Sequence, residues 1–171
     1  MYPDSLKNLI ECFKYFPGVG EKTAERMAFA VLSFDDEKAD FLADSIQNAK
    51  KNIHTCPKCH NLTDKEDICT NGLRDQTTLC VVEDPKSVFL FEKLGMYNGL
   101  YHVLDGLISP LDGIGPEDIG LDQLLDRIKE GNFKEIILAV KPSIEGETTS
   151  LYIKKILEGL DITVSKIASG V

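Results

Sequence analysis

The chain has 171 residues, 43% of them hydrophobic and 27% charged, with a formal net charge of −9. That length holds one ordinary domain or two small modules, and the composition is that of a soluble globular protein rather than a disordered or membrane-embedded one. No apolar run approaches a membrane span, and Met1-Tyr2-Pro3-Asp4-Ser5 lacks the basic and apolar regions of a signal peptide, so the expectation is a cytoplasmic protein with no membrane partner.

Asp4 or Ser5 can cap a first helix whose apolar positions Leu6, Leu9, Ile10 and Phe13 follow helical spacing. Cys12 falls among them and reads as a small buried apolar residue. Pro17 forces the helix to stop, because the residue before proline is pushed out of the helical region, and Gly18 and Gly20 supply a tight connection. A second helix starts near Glu21, with Ala24, Met27, Ala28, Val31 and Leu32 on its buried face. A third starts near Asp35 or Asp36, turns Phe41, Leu42, Ile46 and Ala49 inward, and ends by Asn52. From His54 to Thr78 hydrophobic periodicity disappears, and Cys, Asn, Asp and Gly dominate. Leu79–Glu83 then reads as a buried parallel strand, and Asp84 and Pro85 open a helix through Val88, Phe89, Phe91 and Leu94. Tyr101–Leu104 is a second strand, Ile108–Ile119 a long loop and Leu121–Glu130 a helix. Strand Glu135–Val140, helix Glu147–Glu158 and strand Ile162–Ile167 complete an alternation that predicts a parallel sheet with helices on its faces.

Four motifs carry chemistry. In Phe16-Pro17-Gly18-Val19-Gly20-Glu21-Lys22, a glycine hairpin lets a phosphate approach backbone N–H groups at a helix N-terminus. Lys22 and Arg26 are four apart and share one helix face, so they can grip a phosphate strand together; the plainer reading is a turn with two solvated cations. Cys56-x2-Cys59-x9-Cys69 supplies three of the four ligands of a tetrahedral thiolate site, and without a secretion signal clustered cysteines read as metal ligands before disulfides. Cys80, His54 and His60 are the candidates for the fourth. Glu83 ends a buried strand, but the chain after Ile136–Val140 reads Lys141-Pro142-Ser143. The paired acids of a two-metal or phosphoryl-transfer site are therefore missing, and no catalytic residue is assigned. Glu145 and Glu147 flank Gly146 on a turn before a helix. His102 reads as a satisfied core or rim histidine. The acidity is uneven: net −2 over residues 1–51, −1 over 52–82 and −6 over 83–171. The C-terminal half should repel phosphate and suit a basic protein partner.

In their order these strings closely resemble the RecR family of bacterial recombination mediators. The resemblance runs through Phe16–Lys22, Cys56-x2-Cys59-x-Asn61-Leu62-Thr63-Asp64, Arg74-Asp75, Leu79–Glu83, Tyr101–Leu104, Ile108–Asp118 and Glu145-Gly146-Glu147. It implies an α+β chain of several modules. These are a helix-hairpin-helix DNA-binding module at residues 1–53, a small four-cysteine-type zinc finger at 54–78 and a Toprim domain with a parallel sheet at 79–171. It further implies a non-catalytic, DNA-binding role in recombinational repair. Such a protein works at single-stranded gaps with RecO-like and RecF-like partners to help load RecA, and assembles as a dimer or tetrameric ring. By position, Gly18, Gly20, Lys22 and Arg26 would contact DNA, and Cys56, Cys59 and Cys69 would bind zinc. Glu83, Glu145 and Glu147 would form the acidic surface that meets the RecO-like partner.

The chain departs from the family pattern in three ways. One finger cysteine is missing from a loop about two residues short, Val140-Lys141-Pro142 stands where Thr-Asn-Pro is usual, and the sequence stops at Val171 before the family's last strand and helix. The rival reading from a different class is a metal-dependent Toprim nuclease or a primase-like enzyme.

Overall fold

The structure is a computed structural model and describes residues 2–64, 69 and 71–168. It divides into two compact units, Met1–Asn52 and Ile53–Val171.

The N-terminal unit is built from α1 (Asp4–Phe13), α2 (Glu21–Leu32) and α3 (Asp36–Asn52). Pro3 precedes α1, and Asp4 pairs with Lys7 at 2.9 Å within the first turn, so neither Asp4 nor Ser5 caps the helix. Asp35 caps α3, its Oδ1 accepting the Lys38 N–H at 2.8 Å. The core is small. Leu6 and Ile10 meet Ala24 and Ala28, with Leu9, Phe13 and Val19 packed around them. The two alanines let α1 and α2 approach closely. Cys12 is exposed rather than buried; two residues beyond Ile10, it falls nearly opposite the face that Leu6 and Ile10 bury. The inward face expected for α3 is also absent. No residue of α3 is buried, and Phe41 and Ile46 are 73% and 55% exposed. Leu32 of α2 is likewise exposed. Helical periodicity reports that a face is apolar, not that the same unit covers it.

The C-terminal unit begins with a two-residue antiparallel pair, β1 (His54–Thr55) and β2 (Leu62–Thr63), which brackets the first two finger cysteines. A four-stranded parallel sheet follows, ordered β4-β3-β5-β6: β3 is Asp75–Val82, β4 Gly99–Val103, β5 Glu135–Ala139 and β6 Thr163–Lys166. Between them run α4 (Pro85–Leu94), α5 (Leu121–Glu130) and α6 (Ile144–Ile156). Asp84 caps α4, its Oδ1 accepting the Ser87 N–H at 2.9 Å, with Pro85 in the first turn. The register pairs Leu79–Val82 with Leu100–Val103 on one side and with Ile136–Ala139 on the other. One face of the sheet packs Leu79, Val81, Leu100, Ile136 and Leu138 under α5 and α6. The opposite face packs Cys80, Val82, Tyr101, Val103 and Ala139 against Val88 of α4. Of the apolar residues along α4, Val88 is buried while Phe89 and Leu94 are exposed.

The Ile108–Ile119 stretch is not plain loop. Two 3-10 turns, Pro110–Asp112 and Pro116–Ile119, are joined by a Ser109–Ile114 bridge. It is tied to α6 where the Ile108 N–H donates to Thr149 Oγ1 at 2.9 Å. No helix among the described residues is long and apolar enough to cross a membrane.

Candidate metal centre and nucleic-acid interface

Cys56, Cys59 and Cys69 are all buried, and their sulfurs lie within 4.8 Å of one another. The knuckle between β1 and β2 places the first two. Cys56 N–H donates to the Asn61 carbonyl at 2.8 Å, and His60 N–H donates back to the Cys56 carbonyl at 2.9 Å. His60 closes the turn with a φ of 60°, a left-handed conformation unusual for a non-glycine residue. Backbone N–H groups of Lys58 and Cys59 both point at the Cys56 sulfur at 3.4 Å, and the Asn61 N–H bonds the Cys59 sulfur. Several N–H donors converging on sulfur suit a thiolate acceptor. The hydrogen bond it shares with Cys69, then burial, pushes the Cys59 thiol far up, so a metal ion must displace protons to bind there.

The donor chemistry fits a soft divalent ion, with three of the four ligands that structural zinc takes. The sequence candidates for the fourth do not join them. Cys80 lies in the sheet layer beneath α4. His60 Nδ1 faces Asp105 at 3.6 Å, and its ring sits 5.0 Å from that of His102. His54 is exposed in β1. Among the described residues the metal-capable group has these three members.

In the N-terminal unit the hairpin runs Phe16–Gly20. Val19 N–H donates to the Phe16 carbonyl at 3.1 Å, and Gly18 takes a φ of 80°. Gly20 caps α2 through its backbone alone, which leaves the first N–H groups of the helix open to an anion. Lys14 binds Glu11 at 2.8 Å and Glu21 at 3.0 Å, cross-linking α1 to α2. Glu21 is thus occupied, whereas Lys22 and Arg26 are exposed and belong to no ion pair among the described residues.

The third group of residues sits at the carboxyl ends of β3 and β5, where the chain crosses from one side of the central strand to the other. A cavity of about 480 Å³ there is lined in part by Glu83, Asp84, Asp112, Lys141 and Glu145. Lys141 engages Glu83 twice, through its N–H at 3.3 Å and its ammonium at 3.9 Å. An ammonium thus stands beside Glu83 at the end of the neighbouring strand, where a two-metal site would need a second acid. Glu145 and Glu147 lie within the first turn of α6, not on a turn before it, because Ser143 caps the helix by accepting the Gly146 N–H at 3.1 Å. Glu147 pairs with Lys166.

Residues 6–50 match the family model described as RecR, helix-hairpin-helix, and residues 77–168 match the Toprim domain. A relative from Lactobacillus helveticus (strain DPC 4571), named Recombination protein RecR, is 45% identical over 172 aligned residues, which cover 99% of this chain and 86% of the relative. The chain belongs to the RecR family. A Lactobacillus acidophilus (strain ATCC 700396 / NCK56 / N2 / NCFM) protein of the same name is 45% identical over the same shares.

Three residues of this RecR-family chain acquire roles that spacing alone did not assign. Arg74, part of the Arg74-Asp75 string, pairs with Glu92 of α4 and donates to the Gly99 carbonyl at 2.8 Å, while Tyr101 Oη donates to Glu92 at 2.9 Å. That network joins the end of the finger to the sheet. His102 is 1% exposed, and burial, with Arg127 nearby, pulls its pKa down to about 3, so it is neutral at physiological pH. Arg127 is 7% exposed and donates to the Tyr101 carbonyl at 2.6 Å. Its position three residues after Leu124, on the buried side of α5, is a signal the sequence did contain.

Proposed function

We propose that this chain is a DNA-binding recombination mediator in recombinational repair, acting with RecO- and RecF-type partners to help load RecA at single-stranded gaps, and that it is not an enzyme. The observation that carries the reading is the hairpin. In a chain of the RecR family, a helix N-terminus without a side-chain cap and two exposed cations, Lys22 and Arg26, with no ion pair among the described residues, stand together on an otherwise acidic protein. Backbone N–H groups of Gly18 and Gly20 and the two side chains bind phosphate, which gives affinity without sequence preference.

In this reading residues 1–53 bind DNA, 54–78 form the finger and 79–171 form a Toprim domain that docks a basic partner through Glu83, Glu145 and Glu147. The three cysteines hold one structural zinc, whose contribution is to cross-link a segment lacking a hydrophobic core of its own. The exposed apolar faces of α2 and α3 support a homo-oligomer, either dimer or ring. Cytoplasmic location accords with reduced, metal-binding cysteines. Against the nuclease or primase-like alternative stands the Glu83–Lys141 contact.

Fluorescent gapped DNA titrated at several salt concentrations, with and without the RecO-type partner, tests the reading. Salt-sensitive binding in either condition is expected. No binding in both, with the partner still associating, would reduce the chain to a protein-binding scaffold. Magnesium-dependent cleavage of that DNA, abolished in Glu83→Gln, would favour the enzyme instead.

A further inference from the structure

We infer that Arg127 is the charge partner of a metal–thiolate centre at Cys56, Cys59 and Cys69. The inference rests on the metal reading of those cysteines and adds to it a residue from a distant helix.

The guanidinium is buried, and its hydrogen bonding is incomplete. Nη1 donates to the Tyr101 carbonyl at 2.6 Å and lies 3.2 Å from His102 Nδ1, while Nε and Nη2 are buried with no hydrogen-bond partner. Arg127 belongs to no ion pair with a carboxylate among the described residues. Burial works against its charge; the groups that favour it are, in order, Cys59, Cys69, Cys56 and Tyr97. A buried cation needs an anion, and the Tyr101 carbonyl that Arg127 binds lies two residues before Val103, whose N–H holds the Cys59 carbonyl, so the guanidinium and the cysteine knuckle sit side by side along β4.

Charge arithmetic matches this placement. Three protonated thiols carry no charge and leave Arg127 uncompensated. Three thiolates around one divalent ion carry a single net negative charge, which one guanidinium neutralises. The fold fixes both halves of the pair on the same strand. Val103 N–H, at the end of β4, donates to the Cys59 carbonyl at 2.8 Å and holds the knuckle. Tyr101 and His102, in that strand, hold the guanidinium. Leu124 and Ile128, one helical turn apart on α5, are buried in the core and lock the helix that delivers Arg127. Unbonded N–H donors beside metal-bound thiolates are the outer partners that tune such centres. Arg127 is accordingly a positioning and charge-balancing residue, not a ligand.

Cobalt(II) titration of the full chain, followed by the sulfur-to-cobalt charge-transfer band and by competition with a chelator, tests the pair, with zinc(II) run as displacing ion. The wild-type chain is expected to bind one cobalt. Arg127→Gln, which keeps an N–H donor for the Tyr101 carbonyl but no charge, should weaken cobalt and zinc binding by roughly 10- to 100-fold, with Arg127→Lys recovering most of the loss. Wild-type affinity in a folded Arg127→Gln chain would overturn the inference while leaving the metal site intact. Failure of the wild-type chain to bind cobalt or zinc would remove the metal site and the inference with it. Should the Gln variant not fold, Arg127→Lys carries the test: affinity within about tenfold of wild type supports charge pairing, and a loss beyond about 100-fold assigns Arg127 to shape alone.

Discussion

A Cβ added at Gly146 would lie 2.0 Å from the Lys141 carbonyl oxygen, a backbone atom that cannot swing away. The glycine in Glu145-Gly146-Glu147 therefore allows the first turn of α6 to close against the end of β5. Gly146→Ala should cost about 1–3 kcal/mol, read as a fall in Tm of about 2–4 °C per kcal/mol. His102 offers a pH test. Its folded pKa of about 3 lies below the ordinary histidine value of 6.5, so as pH falls below that value the unfolded chain takes up a proton that the native chain refuses. Stability is full above the unfolded pKa and is lost on acidification, by up to about 1.4 kcal/mol per pH unit. Urea unfolding of wild type and His102→Gln between pH 7 and pH 5 should show this slope in the first and its reduction in the second. The apolar sequence around His102 made its burial legible. The place of Arg127 on the buried side of α5 was legible too, but its pairing with His102 was not, because spacing along a helix carries no distance to a strand.

The hairpin between α1 and α2 is set by two glycines, of which only Gly18 has a positive φ. Nothing lies within 4 Å of a Cβ added there, so Gly18→Ala probes backbone strain alone and should cost about 1–2 kcal/mol. Thermal melts that leave Tm unchanged would mean the hairpin relaxes without penalty. The apolar second half of β3, with β4 and β5, was readable because strands buried on both faces are continuous apolar runs, whereas β6, Thr163–Lys166, is only partly buried and was readable from its place in the strand–helix alternation. The start of α6 was missed by three residues because the Ser143 cap was not recognised ahead of Gly146. The finger was legible as three cysteines but not as a place in the fold. What seats it is the Val103–Cys59 hydrogen bond and the Arg74–Glu92–Tyr101 network, contacts between segments far apart in sequence. Periodicity in α3 misled for the opposite reason: a real apolar stripe stays exposed within its own unit.

Across the whole chain, net charge runs from −2 in residues 1–51 to −6 in residues 83–171. On the proposed reading a phosphate backbone would be attracted locally and repelled overall, so binding should be weak and salt-sensitive and recruitment by a basic partner would help it. The cations that overcome this are few, so each should be visible in the salt dependence. Lys22 and Arg26 are exposed on α2 and outside the small core of Leu6, Ile10, Ala24 and Ala28, so reversing their charge should leave folding intact. The most direct measurement is the affinity of Lys22→Glu with Arg26→Glu for gapped DNA, against wild type, over a range of salt. Weaker binding at low salt is expected, with a log–log salt slope shallower by about one for each cation lost. Unchanged affinity and slope in the folded variant would contradict the assignment of the hairpin as the DNA-binding face.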